Sequence, residues 1–98
     1  MLPYYRVLVT VENDRGMKAC KHVIENLTKA AAEKEKLSLV KDIETYMGKV
    51  DELERGLIVY RKKEIELRYF NKHSRELHCK YFIQVKRYTL LQLLNIKP

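Results

Sequence analysis

The sequence predicts an α+β fold of order β-α-α-β-β(-β)-α, an antiparallel sheet with helices packed on one face. Three observations carry that prediction. An alternating apolar stretch lies near the start, two runs of apolar residues at helical spacing fill the middle, and a basic, aromatic-rich ribbon extends from Leu57 to Tyr88. A chain of 98 residues is long enough for one modest core and too short for two, so residues 1–98 are read as a single domain.

Tyr4–Val11 places Tyr5, Val7, Val9 and Val11 on one face and Tyr4, Arg6, Leu8 and Thr10 on the other. This β-branched, aromatic alternation predicts a strand over 4–11. Leu8 on the second face puts that strand inside the sheet. Asn13-Asp14-Arg15-Gly16 then reads as a strand end and a helix N-cap. Met17, Cys20, Ile24, Leu27 and Ala31 recur every three or four residues, predicting a helix over 15–33.

A second helical register runs through Leu39, Ile43, Tyr46, Val50, Leu53 and Leu57, predicting a helix over 38–55. The two registers are out of phase. Either the chain turns back near Glu33–Lys36, with Ser38 as a cap, or one helix carries a skip that rotates its apolar stripe. A continuous helix over 15–55 would be about 60 Å long, so a helical hairpin is the expectation and the long helix is the signature of a dimer. Gly56 stands where a helix C-cap favours glycine. The two stripes carry more apolar surface than one small sheet face covers, which predicts a homodimer.

From 57 to 70 the pattern alternates again, with Ile65, Leu67 and Tyr69 against Glu64, Glu66 and Arg68. From 76 to 88, Leu77, Cys79, Tyr81, Ile83 and Val85 alternate with His78, Lys80, Phe82, Gln84 and Lys86. With Asn71–Arg75 as the turn, the two predict an antiparallel hairpin. Leu57–Arg61 is read either as its own strand or as the start of a long bent one. Leu90, Leu91, Leu93, Leu94 and Ile96 predict a short closing helix over 89–96.

Composition narrows the function classes. With 46% hydrophobic and 34% charged residues the chain has a globular rather than a disordered composition. No apolar run approaches the roughly eighteen residues of a membrane span, and the first residues lack signal-peptide character, so a cytoplasmic, intracellular location is expected. Cys20 and Cys79 are read as reduced and mostly buried. The excess of Lys and Glu over two Gln and four Asn is the composition of thermophile proteins, and a small archaeal or viral protein fits it.

The charge is unevenly placed. Residues 1–56 hold ten Lys or Arg and ten Asp or Glu, whereas residues 57–98 hold ten against three, which is the whole net charge of +7. Such asymmetry points to an anionic partner: nucleic acid, a membrane surface or an acidic protein. Cations interleaved with aromatics suit a phosphate backbone with stacked bases. The sequence therefore predicts a non-catalytic protein that binds DNA or RNA through Arg61, Lys62, Lys63, Arg68, Lys80, Lys86 and Arg87 on phosphate, with Phe70, Phe82 and Tyr88 stacking. The alternative is a homodimeric structural or protein-interaction module without nucleic-acid binding.

Other chemistry is less well supported. His73, His78 and Cys79 crowd the ribbon, but His78 and Cys79 are adjacent on a strand and point to opposite faces, so no metal site is expected. Glu64 and Glu66 share a face with Arg68, and a strand ion pair accounts for them as well as a catalytic role would. Neither a glycine-rich phosphate loop nor a complete nucleophile–base motif is present, and no cofactor is expected.

Overall fold

The computed structural model describes residues 4–26 and 28–88. Its described elements are β1 (Tyr4–Asn13), β2 (Lys18–Asn26), α1 (Lys29–Met47), β3 (Leu53–Arg55), β4 (Val59–Tyr60), β5 (Glu64–Asn71) and β6 (Leu77–Tyr88). The result is a small α+β domain with, among the described residues, a six-stranded antiparallel sheet and one helix. The sheet order is β2-β1-β6-β5-β3, with β4 also paired to β5.

The helix expected over 15–33 is instead mostly a strand. Asn13-Asp14-Arg15-Gly16 closes a β-hairpin. The Asn13 side-chain carbonyl accepts from the backbone N–H groups of Arg15 and Met17, both at 2.9 Å. Gly16 takes φ +80°, the left-handed backbone that a short hairpin loop requires at its last position. β2 then pairs with β1 from Tyr5↔Asn26 to Glu12↔Lys18, with a bulge at Lys21. Val23 and Ile24 are β-branched residue types, which favour a strand. β1 is thereby flanked on both sides, by β2 and by β6.

The hairpin of helices is a single helix. Thr28 caps α1, its Oγ1 accepting from the Ala31 N–H at 3.1 Å. The helix then runs unbroken through Glu33–Lys36 to Met47, a length of about 28 Å. Its buried residues are Ala32, Val40 and Met47, with Leu39 and Ile43 packed beside them. Gly48 ends it, donating its N–H to the Glu44 carbonyl at 2.9 Å. The helix expected over 38–55 therefore stops early, and Leu53 lies in β3. The homodimer expectation rested on two helical stripes, and among the described residues there is one helix, α1, on which Leu37 and Tyr46 are exposed.

The stretch 57–70 is divided too. β3 and β4 lie end to end along β5, Leu53↔Asn71 to Arg55↔Tyr69 and then Val59↔Glu66 and Tyr60↔Ile65. The chain between them bulges at Gly56, which is no helix cap; its N–H donates to the Arg68 carbonyl at 2.8 Å. β5 and β6 form a hairpin about Asn71, whose side-chain carbonyl accepts from His73 and Ser74 N–H. The closing helix expected over 89–96 lies outside the described residues.

The core sits between α1 and one face of the sheet. Val7 and Val9 of β1, Ile65, Leu67 and Tyr69 of β5, and Cys79 and Ile83 of β6 meet Ala32, Val40 and Met47 there. Cys79 is buried, but Cys20 is exposed on β2, a correction to its expected burial. The opposite face carries the alternate residues: Arg6, Leu8, Thr10 and Glu12 beside Lys86, Gln84, Phe82 and Lys80, and these beside Glu64, Glu66 and Arg68.

Candidate nucleic-acid interface

The ribbon's basic residues fall into two groups with different electrostatics. The first is a knot around Glu66. That carboxylate stands at the edge of the second face with its side chain 3% exposed. Oε1 accepts from Arg61 Nη1 at 2.6 Å, and Oε2 accepts from Arg68 Nε. Burial pushes the Glu66 carboxyl up, but the two arginine hydrogen bonds and charges outweigh it and hold the group below the ordinary carboxylate range. The same contacts raise Arg61, which also reaches Glu64 at 3.7 Å. Arg61 and Arg68 are thus committed to an internal acid, and their charge is matched locally.

Phe70 and Phe82 are both half-buried, in different settings. The Phe70 ring packs under the bulge, where a Cβ on Gly56 would fall 2.7 Å from its Cε2. Phe82 lies mid-strand on the second face, with the Lys18 ammonium 5.6 Å from its ring centroid. Lys18 also pairs with Glu12 at 3.8 Å, the residue opposite Lys80. At the end of the same face the Tyr4 and Tyr88 rings stack at 5.7 Å, with the Arg6 guanidinium 5.6 and 5.1 Å from their centroids. Arg6 Nη2 holds Glu25 at 3.1 Å.

The second group gathers at one end of the sheet. Strand directions bring the start of β1, the ends of β2 and β6, the β4–β5 turn and the start of α1 to the same place: Tyr5 stands opposite both Asn26 and Arg87, and Glu64 opposite Gln84. There Lys62, Lys63, Lys86 and Arg87 line a cleft of about 660 Å³ together with Lys29, Tyr5 and Glu33. Lys62 and Lys63 sit at the exposed tip of a turn closed by Arg61 N–H to the Glu64 carbonyl at 2.8 Å. Glu33, the one acid among the described residues of the cleft, is held by Lys36 at 2.8 Å.

The structure therefore brings together four of the seven sequence-predicted phosphate residues, ties Arg61 and Arg68 to Glu66, and leaves Lys80 toward the other end of β6. Sequence reasoning missed Lys29. It lies in the charge-balanced half of the chain, and its misplacement inside a helix over 15–33 hid its position at the cleft.

Among the described residues no group of three or more His, Cys, Asp or Glu is placed to hold a metal ion. His78 is exposed and Cys79 buried, on opposite faces of β6, and burial pushes the Cys79 thiol up. No described helix is long and apolar enough to cross a membrane. Comparison with known proteins finds no matching family model, no similar curated protein and no similar solved structure.

Proposed function

We propose that this protein is a non-catalytic nucleic-acid-binding protein whose phosphate contacts are made at the basic end of the sheet. The observation that supports this reading is convergence. Five cations from three separate segments, Lys29, Lys62, Lys63, Lys86 and Arg87, line one cleft with a single acid among the described residues. Like charges repel when gathered this way and cost stability, so such a cluster suits an anionic ligand better than it suits the fold. Tyr5 in the cleft, and Phe82 on the adjoining face, offer flat apolar surface to a base.

Binding to single- and double-stranded DNA and RNA across a salt series tests the reading. If each of the five cations neutralises one phosphate, the log–log salt slope is roughly −3.5 on a single strand. Lys62→Ala or Lys86→Ala then flattens the slope by about one and weakens binding to all sequences alike. Lys41→Glu, an exposed position on α1, leaves binding close to native. Absence of binding at low salt, or an equal response to Lys41→Glu, refutes the proposal.

One observation favours a second reading, a homodimeric interaction module. β2 is nine residues long and ends the sheet order, with no described strand on its outer side, and an open edge of that length pairs readily with another chain. A mass that rises to twice the monomer with concentration, together with no affinity for nucleic acid, supports the module. A dimer that also binds strands is compatible with the first reading.

A further inference from the structure

The placement of the unmatched charge says more about the ligand than its sign. On the second face Arg6, Lys18, Arg61 and Arg68 all sit in ion pairs with Glu25, Glu12 and Glu66. That face is not a continuous track of open cations such as a long backbone follows. Five cations are collected at one end, in a concave space of about 660 Å³. This is the size of sites that enclose small ligands. A rod-like duplex, whose charges are spread along its axis, fits such a concavity poorly.

Charge density sharpens the point. A phosphodiester in a chain carries one negative charge, whereas a phosphate monoester carries about −1.5 to −2 at pH 7. Five cations against one acid among the described residues of the cleft, that acid already held by Lys36, are matched more closely by a terminal monoester with the diester beside it, about −2.5 to −3 together, than by two internal diesters at about −2. The geometry points to a terminal phosphate as the ligand of this cleft: the phosphorylated end of a nucleic-acid strand, bound as a multiply charged group and not as an internal diester. The strand as its source rests on the nucleic-acid reading above. Lys62 and Lys63 on the turn, with Lys86 and Arg87 on the strand end, hold the phosphate oxygens, and Tyr5 stands beside the terminal nucleotide.

The test uses internally labelled single strands of one sequence in four forms: 5′-phosphate, 3′-phosphate, neither, and a closed circle. Inorganic triphosphate is the strand-free probe. The native protein is expected to bind at least one phosphorylated end about tenfold more tightly than the unphosphorylated strand, since the added charge meets the whole cluster. The circle should bind no better than the unphosphorylated strand. In Lys62→Ala/Lys63→Ala, whose fold is checked by circular dichroism, the preference disappears while weak, salt-sensitive binding stays.

Equal affinity for all four strands overturns terminal recognition and leaves the nucleic-acid proposal standing. Binding of triphosphate but of no strand, abolished in the same variant, keeps the terminal-phosphate site and overturns nucleic acid as its source. If neither strands nor triphosphate bind, both proposals fail.

Discussion

Replacing Glu66 by Gln tests the internal ion pairs that separate the two groups of cations. In the native protein both carboxylate oxygens accept from arginine, at 2.6 Å for Arg61 and through Nε for Arg68. Glutamine keeps one acceptor oxygen, but its amide NH₂ faces the other guanidinium donor, so one charge-assisted hydrogen bond is lost and the other becomes weaker. Hydrogen bonds to charged groups contribute about 1.5–3 kcal/mol each. Both arginine side chains are roughly two-fifths exposed, so water takes up part of what they lose. The net cost is about 2 kcal/mol, a fall in Tm of roughly 8–15 °C for a domain of this size.

The same carboxylate gives the effect a pH signature. Its folded pKa lies below the ordinary value, which is about 4.3 when unfolded. Its contribution is therefore complete above the unfolded value and is lost as pH falls through the folded one. Urea unfolding of native and Glu66→Gln protein should show a gap of about 2 kcal/mol at pH 7, narrowing below about pH 4. A gap under about 0.5 kcal/mol at pH 7, or one that stays constant down to pH 3, refutes the assignment of Glu66 as the buried acid that holds both arginines.

Two further substitutions probe the edge and the core. Gly56→Ala places a Cβ 2.7 Å from Phe70 Cε2, so the ring must shift, at a cost of about 1–3 kcal/mol; Phe70→Leu in the same chain should recover part of that loss in urea unfolding, and strictly additive costs would refute the clash. Tyr69 is 3% exposed, its phenol is pushed up to about 12 by burial, and its hydroxyl has no hydrogen-bond partner among the described residues. Tyr69→Phe should thus be neutral or stabilising by up to about 1 kcal/mol, and a loss above about 1.5 kcal/mol would show that the hydroxyl is bonded after all.

Local pattern determined a good part of this protein. The alternation from Tyr4 to Val11 and again through Ile65–Tyr69 and Cys79–Ile83 is enough to name β1, β5 and β6 and their buried faces, because side chains on a strand alternate by geometry alone. Asn71 marks its turn for the same kind of reason, since its side chain bonds the backbone two and three residues on. The excess of positive charge after residue 56 is likewise a property of composition.

Tertiary structure decided what several segments compete for. Apolar residues at 17, 20 and 24 match a helix on spacing, yet β1 presents a second edge, and pairing it with β2 satisfies backbone groups that a helix there would have left open. The change of apolar phase between Ala31 and Leu39 implies a break only if Ala31 is a core position. Packing on the sheet buries Ala32 instead, so one unbroken helix suffices. The cleft depends most on the fold. Its cations come from the start of α1, the β4–β5 turn and the end of β6, which antiparallel pairing carries to a single end of the sheet. Pairing of β4 with β5 sets Arg61 beside Glu66, while Arg68 meets Glu66 from two residues along the same strand, and both are removed from that group. Composition sets how much charge the chain carries; only strand register determines which charges are cancelled and which are left to face a ligand, because Coulomb energy depends on separation in space and not on separation along the chain.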